Sequence, residues 1–218
     1  MSAIGRSAAC ALALAVTAIH PGLLRAQPLE AVPFGGAIFP MGRLVEQGNA
    51  TLSHRTNVVF GGRLDAWFWG AAGLELAVAY APSGYHATGA TGPSVDTTGG
   101  LFTATGRFLY RFAHTGPLSW QVSAGAGAMV HSGSFLSNLA SSGRQHLTGV
   151  VGLTGRFQVS EGMALVLGAE DYVYSIKLGG MTGITPQSRL NNAVVVWLGV
   201  VVPLFAHGDD DDEYRVIR

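Results

Sequence analysis

Seven charged side chains lie among apolar stretches of this 218-residue chain, at positions where they could share one interior. Four are basic and three are acidic: Arg63, Asp65, Glu75, Arg107, Arg111, Arg156 and Glu170. Charges buried inside a protein must pair. We therefore expect a salt-bridge network that closes this interior. The alternative is that the same charges line a path for protons or small ions.

A second chemistry to consider is nucleophilic hydrolysis, which needs a serine, a histidine and an acid within hydrogen-bond reach. The candidates are His131, Ser132 and Ser134, with Glu170 or Asp171 as the acid. Serines beside a histidine in a loop are common by chance. We therefore predict no catalytic site.

Metal binding is the third possibility, because Asp209 to Asp212 form an acidic run with Glu213 beside it. Ca²⁺ prefers oxygen ligands, but the run lacks the spaced ligands and turn glycine of a calcium-binding loop. We predict a solvated tail. The histidines show no metal-ligand spacing, so we expect no metal and no cofactor. The formal net charge of zero gives no reason to expect a nucleic-acid partner.

The elements that must position these residues are stretches of alternating apolar and polar residues, a pattern typical of β-strands. Glycine is abundant at 31 residues, which favours tight turns and close-packed strands. Eight strands are predicted, at 32–41, 56–68, 74–83, 101–112, 120–131, 146–158, 163–176 and 191–205.

The connections between these strands alternate in length. The long ones are 42–53, 84–99, 132–144 and 178–189, and the short turns are 70–73, 114–119 and 160–162. Bacterial outer-membrane barrels have short periplasmic turns and longer extracellular loops. The pattern predicts an all-β fold: an eight-stranded antiparallel up-and-down transmembrane β-barrel, with both chain ends in the periplasm.

The alternation also predicts two faces for each strand. In 101–112, the side chains of Phe102, Phe108 and Tyr110 share one side, and Arg107 and Arg111 share the other. The apolar side should meet lipid, because a basic residue at mid-membrane costs about 2–4 kcal/mol on a barrel surface. Charged residues make up only 12% of the chain, against about 25% in ordinary soluble domains.

Aromatic residues gather at the short-turn ends of the predicted strands, where a periplasmic girdle would lie. The predicted girdle comprises Trp67, Phe68, Trp69, Tyr110, Phe112, Trp120, Phe157 and Phe205. Four further aromatics could form the opposite, outer girdle: Tyr80, Phe102, Tyr172 and Tyr174.

The N-terminal segment has the pattern of a secretory signal peptide. Arg6 precedes a short apolar stretch from Ala9 to Ile19, and Ala26 is a plausible last residue before cleavage. We therefore divide the chain into a signal peptide (1–26), a barrel (27–205) and an acidic periplasmic tail (206–218). Cleavage would remove Cys10, the one cysteine, so the mature protein would contain no disulfide.

On the FGGAIFPMG opening, the alternation of loops and turns, the girdle and the final VVVPLF, the chain resembles the small eight-stranded outer-membrane barrels. These include the membrane domain of OmpA, OmpX and OmpW. The resemblance covers about residues 30–205 and assigns no subfamily. It implies an outer-membrane location, contact with lipid and lipopolysaccharide, and assembly by the barrel assembly machinery through the terminal aromatic Phe205. The tail beyond Phe205 departs from that pattern.

Several functions are compatible with this resemblance. We predict a non-enzymatic, monomeric barrel with a closed lumen, which acts structurally or through surface interactions of its long loops. A transporter or narrow pore for small apolar molecules is the alternative, as a likeness to OmpW would imply. Some relatives modify lipid A, but HSGS at 131–134 differs from the deacylase pattern, a His-x-Ser followed by Asn. A soluble lipocalin-like barrel would instead turn its apolar faces inward.

Overall fold

The structure, a computed structural model, describes residues 29–41, 43–47, 50–68, 71–88, 95–133, 145–160, 162–177 and 188–204. The described residues form ten β-strands. They are β1 (Leu29–Pro40), β2 (Arg43–Gln47), β3 (Ala50–His54), β4 (Asn57–Phe68), β5 (Ala72–Thr88), β6 (Val95–Thr115), β7 (Leu118–Gly133), β8 (Gln145–Ser160), β9 (Met163–Lys177) and β10 (Ser188–Pro203). No helix in this part of the chain is long and apolar enough to cross a membrane.

Eight long strands close into an antiparallel barrel in the order β5-β4-β1-β10-β9-β8-β7-β6, and β6 pairs with β5 to complete the ring. This confirms the predicted eight-stranded barrel. The end that holds the tight turns, the start of β1 and the end of β10 is called the turn end below. The opposite end is the loop end.

The first long connection is not simply a polar loop. Residues 42–53 were predicted as a gap, but β2 and β3 form a hairpin there, and β3 pairs with the outer part of β5. β5 and β6 also run further than predicted, with pairing from Ala72 opposite Tyr110 to Ala87 opposite Val95. Strand pairing therefore extends the barrel wall at the loop end beyond the apolar segments.

The turn between β6 and β7 shows how glycine fixes a tight connection. Thr115 pairs with Leu118, which leaves Gly116 and Pro117 as a two-residue loop. Gly116 has a φ of 57°, a conformation that costs glycine little and other residues more. A glycine at the first loop position suits the right-handed twist of a hairpin.

The two faces of the strands differ in polarity as predicted. The outer surface carries exposed apolar side chains on every barrel strand, among them Phe60, Leu76, Phe108, Val122, Leu153, Leu167 and Leu198. Most inward side chains are buried, and charged side chains face inward on six strands: β1, β4, β5, β6, β8 and β9. Side chains fill the interior, as expected of a barrel of eight strands.

Candidate functional site

Inward positions on β4, β5, β6 and β9 bring four charges together in the middle of the barrel. Arg63, Glu75, Arg107 and Glu170 are each less than 5% exposed and form what we call the central group. β9 is not a neighbour of β4 or β6 in the sheet. The central group therefore joins opposite walls across the lumen.

Each arginine of the central group contacts both glutamates. Arg63 Nη1 lies 3.3 Å from Glu75 Oε2 and 2.5 Å from Glu170 Oε1. Arg107 Nε lies 3.3 Å from Glu75 Oε1, and its Nη1 lies 2.7 Å from Glu170 Oε1. Two positive and two negative charges balance, as buried ions require.

Neutral groups complete the surroundings of Glu170. Trp197 Nε1 donates a hydrogen bond to Glu170 Oε1 at 2.9 Å, and the Tyr172 hydroxyl donates to Oε2 at 3.0 Å. Arg107 Nη2 donates to the Tyr172 hydroxyl at 2.6 Å. The Arg63 guanidinium carbon lies 3.7 Å from the centroid of the Trp197 ring, a cation–π contact.

Two glycines make room for the inward aromatic rings. A Cβ added at Gly168 would lie 2.3 Å from Cε2 of Trp197, and one added at Gly61 would lie 2.8 Å from Cζ of Phe34. The indole therefore lies directly against the backbone of β9. Glycine at these positions lets Trp197 and Phe34 both reach the guanidinium of Arg63.

A second set of polar side chains fills the lumen nearer the turn end. Arg156 Nη1 and Nη2 donate to the two carboxylate oxygens of Glu30 at 2.6 and 2.9 Å. Trp67 Nε1 donates to the same carboxylate at 2.9 Å. The Arg111 guanidinium carbon lies 4.1 Å from the centroid of the Trp67 ring. We call Glu30, Trp67, Arg111 and Arg156 the lower group.

The lumen nearer the loop end is mainly apolar, with the buried polar side chains of Thr103, His131, Thr148 and Asn191 among the apolar ones. Inward side chains there include Ile38, Val59, Leu101, Met129 and Val195, all buried. They enclose a cavity of only about 10 Å³, at the lower limit of what one water molecule needs. Among the described residues, apolar packing fills much of the lumen above the central group, and polar contacts lie within and below it.

All seven charged residues of the predicted lumen set face inward. Arg63, Glu75, Arg107 and Glu170 meet in the central group, and Arg111 and Arg156 belong to the lower group. Asp65 is buried between the two groups. It forms no ion pair with the described arginines.

Four residues that complete these groups were not predicted as lumen residues. Glu30 was missed because the predicted first strand began at 32, whereas β1 begins at Leu29. Trp67 has the same strand parity as Arg63, and Tyr172 has the same parity as Glu170, which was the available signal. Trp197 shares its parity with the inward, uncharged Val195.

The predicted girdles need correction at three tryptophan and tyrosine positions. Trp67 is 4% exposed and faces the lumen, since it follows Arg63 and Asp65 at even spacing along β4. Tyr172 and Tyr174 are likewise buried inside and belong to no outer girdle.

The other predicted girdle aromatics that the structure describes lie near the turn end or nearer the loop end of the barrel. Tyr110, Phe112, Trp120 and Phe157 are exposed on the outer surface near the turn end, and Phe68 contacts Phe108 there. Tyr80 and Phe102 are exposed nearer the loop end. Trp69 and Phe205 lie outside the described residues.

The hydrolase candidates that the structure describes are not assembled. His131 is buried in the lumen, whereas Ser132, the next residue on β7, points outward and donates to the carbonyl of Gly100 at 3.1 Å. Glu170 is held in the central group, and Ser134 lies outside the described residues. Within the described part of the chain, no three His, Cys, Asp or Glu side chains gather as a metal site.

Comparisons with protein-family profiles and with curated proteins found no match. Solved structures are similar at the level of fold. OprG from Pseudomonas aeruginosa is 12% identical with a TM-score of 0.57, over 82% of this chain and 97% of OprG. This chain has the fold of a small outer-membrane β-barrel.

Two further structures align over similar lengths. Neisserial surface protein A is 13% identical with a TM-score of 0.49, over 80% of this chain and 96% of its own. The attachment invasion locus protein Ail of Yersinia pestis is 13% identical with a TM-score of 0.47, over 81% and 97%. The assignment of the fold rests on the similarity to OprG and on the closed barrel itself.

Proposed function

We propose that the protein is an integral outer-membrane barrel with a closed lumen. A cleaved signal peptide would direct its export to that membrane. The outer surface supports membrane insertion, because large apolar side chains are exposed on all eight barrel strands. Soluble proteins rarely expose continuous apolar patches larger than a few hundred Å². The fold shared with OprG supports the same location.

The main support for a closed lumen is the central group. Its two arginines and two glutamates connect opposite walls and are shielded from solvent. A solute would have to separate these ion pairs, and removal of one partner of a buried pair costs about 3–5 kcal/mol. The barrel is thus a rigid support and not an open pore.

The role that follows is structural or one of surface interaction, with no enzymatic step. The four long connections at the loop end would provide the contacts, with lipopolysaccharide among the partners. The barrel would be monomeric and inserted by the barrel assembly machinery, with residues 206–218 as a periplasmic tail.

Mass spectrometry of lipid A from cells with and without the protein tests the absence of an enzymatic role. A new lipid A species would contradict it.

Planar-bilayer recording tests the closed lumen. We expect the wild type to give no stable conductance. Arg107→Leu, which removes two ion pairs of the central group, should give frequent openings. Arg55→Leu alters an exposed arginine between β3 and β4 and serves as the control. A stable, porin-like conductance of the wild type would overturn the proposal.

A second candidate function is uptake of small apolar molecules, favoured by the apolar lumen near the loop end. An inward Ala79→Trp should fill this region, whereas Val78→Trp places the same ring on the outer surface. If the protein carries apolar solutes, influx of an apolar fluorescent dye into proteoliposomes should fall only in Ala79→Trp. Influx equal to that of protein-free vesicles would contradict this candidate.

A further inference from the structure

The turn end of the lumen opens into a cleft of about 480 Å³ that the proposed function does not use. Its walls come from the ends of β6, β7 and β8 and from the turn at Gly116. The polar side chains on these walls are Arg111, His114, Ser119, Arg156, Gln158 and Ser160. A volume of this size is typical of small-molecule sites.

An irregularity in β6 aims a further basic side chain into the cleft. The register shifts between Arg111 and Ala113, so that Phe112 is an extra residue relative to β7. Because of this bulge, His114 pairs with the inward Ser119, which in turn pairs with Arg156 on β8. Regular alternation from Arg111 would have placed His114 on the outer surface. Bulges often redirect a side chain in this way.

The charged side chains that line the cleft, as far as the structure describes it, are basic. None of the described side chains that line it is acidic. Arg156 is neutralised by Glu30 behind it, but Arg111 forms no ion pair with any described acid. The Nε of Arg111 is buried and has no hydrogen-bond partner among the described residues. The guanidinium therefore has no described carboxylate to balance its charge, which leaves it available to an anionic ligand at the cleft.

The cleft lies at the level of the outer aromatic residues Trp120 and Phe157, and the exposed Val159 forms part of its wall. Aromatic rings of this kind prefer the headgroup layer of a membrane. Arginine presents several donors in a fork that matches phosphate oxygens. Ser119, Gln158 and Ser160 line the same cleft with hydroxyl and amide groups.

From this arrangement we infer that the turn-end cleft binds a phosphate group through Arg111 and His114. The group belongs either to a phospholipid headgroup or to a soluble phosphate ester of the periplasm. This site is separate from the central group, so it does not depend on whether the lumen conducts.

Calorimetric titration of the full-length barrel with glycerol phosphate, in maltoside micelles that contain no phosphate, tests the site. Ionic strength is held constant with sodium chloride. We expect saturable binding by the wild type and at least tenfold weaker binding by Arg111→Gln. Arg111→Lys should retain part of the affinity, and Arg55→Gln at the opposite end should bind as the wild type does. Heat-modifiable migration on gels verifies that each variant is folded.

The same titration in phosphatidylglycerol nanodiscs distinguishes the two sources. Loss of glycerol phosphate binding there would indicate that a lipid headgroup already fills the cleft, whereas unchanged binding would favour a soluble ester. Either result supports the site. Wild-type titrations that show only heats of dilution in micelles, or equal binding by Arg111→Gln and the wild type, would overturn it.

Discussion

Trp197 donates its indole hydrogen to Glu170 at 2.9 Å while its ring face lies 3.7 Å from the guanidinium carbon of Arg63. One side chain thus binds both charges of an ion pair that crosses the lumen. The indole N–H gives the carboxylate the hydrogen bond that water would otherwise donate, and the ring packs beside the arginine. A buried polar network of this kind is stable when its members are mutually satisfied.

Glu170→Gln should destabilise the barrel by about 3–5 kcal/mol, because both arginines of the central group would lose a charge partner in a buried site. The control is Arg55→Gln, an exposed residue between β3 and β4, which should change stability by about 0.5 kcal/mol or less. Urea unfolding in lipid vesicles measures both. Equal midpoints for the two variants would show that the central group does not stabilise the fold.

Gly168→Ala should displace Trp197, because the new methyl group would lie 2.3 Å from the indole. We expect a loss of about 1–3 kcal/mol, as for other overpacked interiors, together with a changed tryptophan emission. Gly62→Ala is the control, since no atom lies within 4 Å of its added Cβ. Wild-type emission and stability in Gly168→Ala would contradict the placement of the ring.

Quenching of tryptophan fluorescence by brominated phospholipid distinguishes Trp67 from Trp120, which the sequence analysis assigned to the same girdle. Trp120 is 39% exposed on the outer surface, whereas Trp67 is 4% exposed in the lumen. Trp120→Phe should therefore lower the fraction of emission that brominated lipid quenches, and Trp67→Phe should leave the quenched emission intact. The reverse result would place Trp67 in the girdle after all.

Leu76→Arg should impair membrane insertion, because Leu76 is 59% exposed on the outer surface of β5, between the turn and Tyr80. Arginine at the midplane of a barrel costs about 2–4 kcal/mol, but about 0–1 kcal/mol near the interface. Leu204→Arg, just beyond β10, should therefore be tolerated. Folding yield into vesicles compares the two variants, and equal yields would argue against a lipid-facing belt at Leu76.

The sequence predicts the faces of most strands because the period of two is unambiguous where charges and large apolar residues alternate. On β6 it correctly assigns Phe108 outward and Arg107 inward. Trp67 was misplaced because its position at a strand end suggested a girdle, although its parity with Arg63 indicated the lumen. Strand parity is the stronger physical constraint, since one residue of shift reverses the face.

Other features could not be inferred from local pattern. The contact of Arg63 with Glu170 joins β4 to β9, and such pairs depend on the closure of the barrel and on its register. The β2–β3 hairpin has no clear alternation in its sequence and forms by pairing with the extended end of β5. The bulge after Arg111, which aims His114 inward, likewise depends on pairing with β7.

The central claim is that the apolar outer surface is embedded in a membrane. Expression in a Gram-negative host, followed by fractionation and gel migration with and without boiling, tests it most directly. We predict that the protein sediments with the outer membrane, requires detergent for extraction and migrates faster before boiling than after. Recovery in the soluble periplasmic fraction, with no change in migration on boiling, would contradict it.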